Sequence, residues 1–124
     1  MREILFRAKR TDNGEWVYGS LDNVCADKCR ILQHNRKHGQ LWNVRIFSET
    51  VGQYTGVKDR NGKKIFEGDI IKCTYIYEIG MGLRFDPKID VVVYREGNFN
   101  PLYNCERNSF EVIGNIHDNP ELLK

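Results

Sequence analysis

The chain has 124 residues, of which 40% are hydrophobic and 29% are charged, a balance that excludes a disordered protein and is typical of a soluble domain. This length is enough for one domain, residues 1–124, and too short to predict a second independent core. The formal net charge is only +2, so charge balance does not indicate nucleic-acid binding, which would need a local basic patch.

The apolar runs of the chain are short. Charged residues interrupt each run well before membrane-spanning length, and the N-terminal stretch lacks the apolar region of a signal peptide. We therefore expect no membrane association and a cytoplasmic location. In that reducing compartment, free thiols buried as small apolar groups are expected for Cys25, Cys29, Cys73 and Cys105.

Two β-hairpins are predicted in the N-terminal part of the chain. The first covers residues 4–18, where apolar residues alternate and turn-forming residues occupy positions 11–14. The second joins strands at residues 29–34 and 41–47 through a polar, basic reversal. Both hairpins indicate an antiparallel sheet.

The central stretch, residues 48–72, carries the most definite turn signals. A glycine-rich loop is predicted at residues 52–56, a turn at residues 61–62 and a second tight reversal at residues 67–69. The strand predicted from residue 70 to residue 77 alternates apolar and polar side chains. One buried face and one wetter face are therefore expected for this strand.

The C-terminal part is less regular. Residues 78–88 contain glycines and a proline and are predicted to be a long flexible connection. A strand at residues 89–95, a turn at residues 96–98 and a final alternating strand at residues 110–116 follow. The last residues, 118–123, combine a capping residue, a proline and a glutamate, which predicts a short helix.

The predicted fold class is all-β, because strands recur with turn signals between them and no long amphipathic helical period is present. A barrel or a sandwich fits this pattern. A barrel is favoured because it leaves fewer exposed strand edges.

Three blocks of the sequence are similar to the YopX family. They are REILFRAKRTDNGEWVYGSL at the amino end, ETVGQYTGVKDRNGKKIFEGDIIK in the middle and EVIGNIHDNPELL at the carboxyl end. The resemblance implies a protein encoded by a phage or a prophage, with a β-barrel-like fold of complex topology. It implies no agreed activity, cofactor or catalytic residue.

Basic residues cluster near two predicted turns. Small β-barrels that bind single strands clamp phosphates with such residues and stack bases on aromatic rings. The residues that could do so here are Arg36, Lys37, Trp42, Arg45, Lys63 and Lys64. Solvated turns beside a core tryptophan explain the same pattern, because basic residues are common at turns and the net charge is small.

Glu67 and Asp69, on either side of Gly68, form a candidate polar site. A carboxylate pair can act in acid and base catalysis or hold a divalent cation. An aspartate in a tight turn also bonds neighbouring backbone amides without any substrate. The structural reading is favoured, and no catalytic residue is assigned.

Two further groups of residues are candidates, one for metal binding and one for covalent catalysis. Zinc ligand types occur together in Cys25, Cys29, His34 and His38. On one helix or one strand the cysteines and histidines would point apart, so no metal site is assigned. A thiol nucleophile would have to combine Cys73 or Cys105 with His117, and no local signature accompanies them.

No reacting constellation and no cofactor site follows from the residues. The leading hypothesis is a phage-derived accessory protein that binds a protein partner or a second copy of itself without catalysis. A small nucleic-acid-binding barrel is one alternative. A hydrolase or metal-dependent enzyme is the other.

Overall fold

A computed structural model of the chain describes residues 3–22, 30–35 and 40–123. Within these residues, strands and short 3-10 turns account for the regular structure. The chain divides into two compact units, residues 1–54 and residues 55–124. No helix in the described ranges is long and apolar enough to cross a membrane.

The first unit is an antiparallel sheet. Its strands are β1 (Phe6–Lys9), β2 (Trp16–Asp22), β3 (Arg30–Asn35) and β4 (Gln40–Arg45), and the first residues of β5 (Gly52–Lys58). They are arranged in the order β4-β3-β2-β1-β5. The two predicted hairpins are confirmed, and the tip of the second, residues 36–39, lies outside the described residues.

One face of this sheet holds a small apolar core. Its buried members are Ala8, Val17, Ile31, Val44 and Ile46. Ala8 lies opposite Val17 in the strand register, and Ile31 lies opposite Val44. Because directly opposite residues of antiparallel strands share a face, each pair contributes both side chains to this core.

The second unit contains the remaining strands. They are the end of β5, β6 (Lys64–Phe66), β7 (Asp69–Ile79), β8 (Gly82–Val91), β9 (Val93–Arg95), β10 (Asn98–Asn100) and β11 (Glu111–Asn115). β7 is the middle strand of a three-stranded antiparallel sheet in the order β11-β7-β8, and β9 pairs with β10. β6 is the neighbour of β5.

The second unit has its own core. The buried side chains are Ile65, Ile71, Cys73, Val92, Phe99, Leu102, Cys105 and Phe110. They come from β6, β7 and the segments that follow β8. Among the described residues, one cluster of buried apolar side chains lies in each unit, whereas the chain length predicted a single core. The prediction of one domain stays a prediction.

The all-β class is confirmed, since strands dominate both units. The sheets of the described residues are open, so the predicted barrel is not confirmed. The predicted C-terminal helix is not confirmed either, because Pro120–Leu123 forms a 3-10 turn. Similar 3-10 turns occur at Ser48–Thr50, Leu102–Asn104 and Arg107–Ser109.

Two local predictions are wrong. The glycine-rich loop predicted at residues 52–56 is part of β5, and the flexible connection predicted at residues 78–88 is the end of β7 and most of β8. The predicted turns at residues 61–62 and 67–69 do occur, as does the turn after β9. Glycine and proline in these two stretches indicate loops, but both stretches pair with a neighbouring strand.

Candidate interaction surface

The longest regular feature of the second unit is the hairpin formed by β7 and β8. Its strands stay in register from Ile70 and Val91 at the base to Ile79 and Gly82 at the tip. The two-residue loop between them begins with Gly80, whose φ is 60°. A glycine with positive φ at the first loop position is typical of the type II′ turn, which matches the twist of the flanking strands.

The two faces of this hairpin differ. On the inner face, Ile71 and Cys73 are buried in the second core. The opposite face, called the outer face below, follows from the register because residues directly across the two strands share a face. Beyond its first pair, Ile70 and Val91, of which Ile70 is fully buried, the outer face consists of Lys72, Thr74, Ile76 and Glu78 of β7 and Leu83, Phe85, Pro87 and Ile89 of β8.

The outer face is apolar and exposed. The exposed fractions of its large apolar side chains are 38% for Ile76, 60% for Leu83, 56% for Phe85 and 48% for Ile89. Single exposed apolar residues are ordinary, but a contiguous row of them is typical of an interaction surface. Four such side chains occupy three of the four cross-strand pairs of this face, and Pro87 with Thr74 forms the pair between Phe85 and Ile89.

A depression lies at the base of the hairpin. Its volume is about 470 Å³. Its lining residues are Lys72, Cys73, Thr74, Pro87, Lys88 and Ile89. Four of these belong to the outer face, so the row of protruding side chains near the tip continues into a concave region near the base.

The charges of the outer face stand at its two ends. Lys72 is at the base and Glu78 is near the tip, and both are exposed. Six residues of extended strand separate them, which is about 20 Å. Glu111 of β11 lies across from Lys72 in the register of the neighbouring strand.

The inner face beyond the core carries a polar ladder. The hydroxyl of Tyr75 donates a hydrogen bond to the Asp90 carboxylate. Lys88 Nζ donates to the Tyr77 hydroxyl at 3.2 Å and lies over the Tyr75 ring, 5.1 Å from its centroid. The rings of Tyr75 and Tyr77 are stacked with their centroids 6.1 Å apart. These contacts brace the hairpin from the side opposite to the outer face.

A polar pocket of about 460 Å³ adjoins this ladder. Its lining residues are Tyr75, Asp90, Val91, Val93, Arg95, Glu96, Asn100 and Pro101. Burial, the hydrogen bond to Asp90 and the negative charge of that carboxylate all raise the pKa of Tyr75. The phenol therefore holds its proton and acts as a donor to Asp90, which also accepts the Val91 backbone N–H at 2.8 Å.

Cys73 and Cys105 are buried free thiols, as predicted. Burial raises the pKa of Cys73, and burial together with the hydrogen bond to Cys73 raises the pKa of Cys105 to about 12. Because the thiolate is the nucleophile, these two groups are poorly suited to covalent catalysis. Cys25 and Cys29 lie outside the described residues, as does His38, so the zinc-type constellation stays untested.

The basic residues predicted to bind nucleic acid are only partly placed. Arg36 and Lys37 lie outside the described residues. Trp42 is on β4 in register with Gln33, and Arg45 is an exposed residue at the end of the same strand. In the second unit, Lys63 is exposed beside the turn at residues 61–62, and Lys64 is a half-buried residue of β6. A shared basic surface stays a prediction.

The predicted polar pair lies in the tight reversal between β6 and β7. Asp69 is 1% exposed, and its Oδ2 accepts the backbone N–H of Phe66 at 2.7 Å. Glu67 is half-buried in the same turn. His117 Nε2 would lie 3.9 Å from a Cβ placed on Gly68, so an imidazole stands beside the turn. The bond from the Phe66 N–H to Asp69 is the turn bond expected for such an aspartate.

The outer face was missed by sequence reasoning. Its signal is present in β8, where Leu83, Phe85, Pro87 and Ile89 alternate with Arg84, Asp86, Lys88 and Asp90. This strict period of two predicts a strand with one apolar face. Gly82 and Pro87 in the same segment favour a break in the strand, and they masked this alternation.

Comparison with known proteins adds a family and a structural neighbour. The crystal structure of protein EF1440 from Enterococcus faecalis is similar to this chain, with a TM-score of 0.56 and 28% sequence identity over 100% of both chains. No match was found among curated proteins. The model of the YopX protein family matches residues 5–124, nearly the whole length. The chain therefore belongs to the YopX family, as the three sequence blocks predicted.

Proposed function

We propose that the protein is an accessory protein of phage or prophage origin that acts in the bacterial cytoplasm by binding another protein, without catalysis. The observation that supports this most strongly is the outer face of the β7–β8 hairpin. Four large apolar side chains there are exposed to water in three of the four cross-strand pairs of this face. The proposed origin comes from the YopX family resemblance.

The outer face is suited to binding because the hairpin backbone preforms it. Ten consecutive residue pairs hold β7 against β8, from Ile70 and Val91 to Ile79 and Gly82. The ladder of Tyr75, Tyr77 and Lys88 braces the opposite face. A surface that is already ordered loses little conformational entropy when a partner covers it.

The thiols, the phenol and the carboxylate described above favour a binding function over a catalytic one. The pKa of both Cys73 and Cys105 is raised by burial, and the Tyr75 hydroxyl is engaged by Asp90. Asp69 accepts a backbone bond inside its turn. A nucleophile or general base needs a pKa matched to its task and a free path to the substrate.

Site-specific photocrosslinking in the bacterial cytoplasm tests the proposal. A photoreactive residue is introduced at Phe85 on the outer face, and a matched one at Lys58, an exposed residue of β5. The expected result is a discrete protein adduct at Phe85 that is absent at Lys58. Irradiation that gives no adduct at Phe85, or equal labelling at both positions, would count against binding through this face.

Nucleic-acid binding is the second candidate, because Arg45 and Lys63 are both exposed. Its test is titration with single- and double-stranded oligonucleotides at low and moderate salt. Phosphate contacts weaken steeply as salt rises, so true binding has a large negative salt slope. Reversal of the charge at Lys63, as Lys63→Glu, should then weaken binding and make that slope shallower. Absence of binding at low salt removes this candidate.

A further inference from the structure

We propose that the outer face of the β7–β8 hairpin binds the same face of a second copy of this chain, in a two-fold arrangement with the hairpins antiparallel. This inference rests on the proposed function and names the partner. It is carried by the charge pattern of the outer face and by its protruding and concave ends. Two-fold contacts between identical surfaces are the commonest form of self-association.

The register explains why an antiparallel arrangement is self-complementary. A two-fold axis that lies between the faces and runs across the strands places the tip of each hairpin over the base of the other. Lys72 of each copy then stands opposite Glu78 of the other copy. These two are the charged residues of β7 and β8 on this face, so both charges find a partner of opposite sign twice per dimer. A parallel two-fold arrangement would lay β7 over β8 of the other copy, so Lys72 would face Ile89 and Glu78 would face Leu83, and neither charge would find a partner of opposite sign.

The apolar side chains follow the same symmetry. Leu83 near the tip meets Ile89 near the base of the other copy, and Phe85 meets Pro87. Leu83 and Phe85 near the tip are 60% and 56% exposed, and Pro87 and Ile89 near the base line the depression of about 470 Å³. The exposed apolar side chains at the tip of each copy therefore lie over the depression of the other copy.

Pairing through the face is favoured over pairing through the strand edge. β8 is an edge strand of the sheet β11-β7-β8. Pro87 lies in the middle of β8 and has no N–H to offer to an added strand, and Arg84, Asp86 and Lys88 bring charges to the same strand. Proline and charged residues are the features that block edge-to-edge pairing.

The contact is small, so the dimer is weak. A two-stranded face about 20 Å long falls at the low end of specific interfaces, and we expect a dissociation constant on the order of 100 µM. Sedimentation equilibrium of the full chain over about 10 µM to 1 mM brackets that value. The expected result for the unaltered protein is a reversible, concentration-dependent rise in mass from monomer to dimer.

Charge reversal gives the decisive experiment. Lys72→Glu and Glu78→Lys each place two like-charge pairs in the proposed dimer, and each should weaken self-association by about tenfold or more. In an equimolar mixture of the two variants, every such pair is again of opposite sign. The mixture should therefore form a heterodimer at concentrations where each variant alone is monomeric.

The mixture also separates contact between copies from effects inside one chain, such as the proximity of Glu111 to Lys72. Control variants Lys58→Glu and Glu121→Lys change exposed residues of β5 and of the C-terminal 3-10 turn by the same charges, outside the β7–β8 hairpin. They should dimerise like the unaltered chain. Circular dichroism checks that all variants are folded.

Three outcomes overturn the inference: a monomer up to about 1 mM, a dimer indifferent to both reversals, or failure of the mixed variants to associate. A photocrosslinked adduct at Phe85 with a different protein, together with a monomeric chain, would overturn self-association and leave the proposed binding function intact. Failure of both experiments would overturn both.

Discussion

At the scale of single residues, Asp59 organises the turn between β5 and β6. Its Oδ1 accepts the backbone N–H groups of Asn61 and Lys63, both at 2.9 Å, and its Oδ2 accepts that of Val112 at 3.0 Å. One carboxylate thus holds a turn and ties it to β11. Burial opposes ionisation, but the bonds from Val112, Lys63 and Asn61 outweigh it and lower the pKa of Asp59.

Replacing this carboxylate should destabilise the fold in a pH-dependent manner. We expect Asp59→Ala to cost about 2–4 kcal/mol and Asp59→Asn about 1–2 kcal/mol near neutral pH, because three partly buried N–H groups lose a charged acceptor. Urea unfolding measures both. A lowered folded-state pKa means that the charge stabilises fully above the ordinary value of 3.8, and that this contribution is lost as the pH falls through the folded pKa.

The difference between the unaltered chain and Asp59→Asn should therefore shrink in acid below that value. Glu106→Gln, a change at an exposed side chain, is the matched control and should leave stability nearly unchanged at neutral pH. A constant difference between the unaltered chain and Asp59→Asn across the acid range would show that the charge of Asp59 is not involved.

Tyr75 gives a second residue-scale prediction, at alkaline pH. Its pKa is raised by burial first and by Asp90 second, so its proton stabilises the fold fully below the ordinary value of 10.0, and that contribution is lost as the pH rises above it. The unaltered chain should lose stability in alkali more steeply than Tyr75→Phe. Unfolding in urea at increasing pH, with tyrosinate absorbance to follow ionisation, measures the effect.

Asp90→Asn tests the cause of the Tyr75 shift. This change keeps a hydrogen-bond acceptor near the phenol but removes the negative charge that helps to raise its pKa. Ionisation of Tyr75 should then occur at lower pH than in the unaltered chain. Unchanged ionisation would leave burial as the sole cause.

At the scale of elements, the turn of the β7–β8 hairpin contains Gly80 and is followed by Gly82, and its conformation depends on Gly80 alone. Gly80 has a φ of 60°, whereas Gly82 is outside the positive-φ region, and an added Cβ would meet no close neighbour at either position. Gly80→Ala should cost about 1–2 kcal/mol through backbone strain alone, and Gly82→Ala should cost much less. Hydrogen exchange of the amides near the tip measures local opening of β7 and β8.

Gly82→Ala is the matched control because it adds the same methyl group to the same turn. Gly80→Asn should fall between the two alanine variants, since asparagine tolerates positive φ better than alanine does. Equal exchange rates in both alanine variants would contradict the type II′ assignment of this turn.

The same hairpin shows what sequence could and could not predict. Alternation and turn chemistry predicted the N-terminal hairpins, the reversal at residues 67–69 and β7, because local residues specify these elements. The sequence did not predict β8, although its residues alternate strictly, because Pro87 indicates a break in a strand. Pro87 in fact lies on the edge strand of the sheet, where a missing N–H is tolerated. That position depends on strand order, which the local sequence does not contain.

The candidate surface was harder to predict than the strands that build it. The row of Ile76, Leu83, Phe85 and Ile89 arises only when β7 and β8 pair in this register. The polar ladder of Tyr75 and Asp90 likewise joins residues fifteen positions apart. Pairwise proximity of this kind follows from the register and is absent from composition and motif.

At the scale of the whole molecule, the part of the chain that the structure describes contains two clusters of buried apolar side chains with no shared member. Ile31 belongs to the cluster of the first unit and Ile71 to that of the second, and both are fully buried. Chain length predicted one core, because a single average domain size was assumed. Short strands with local hairpin connections instead bury their apolar faces within each half of the sequence.

Double substitutions test whether the two clusters contribute independently to stability. Ile31→Val and Ile71→Val should each cost about 0.5–1.5 kcal/mol, since each removes one methylene from a fully buried side chain. Because the two residues share no cluster, the double variant should lose the sum of the two single losses to within about 0.5 kcal/mol. Equilibrium unfolding in urea gives all three values.

The matched control combines Ile71→Val with Phe110→Leu, two residues of the same cluster, for which a coupling of about 0.5 kcal/mol or more is expected. A coupling between Ile31 and Ile71 as large as that of the control pair would show that the two cores act as one.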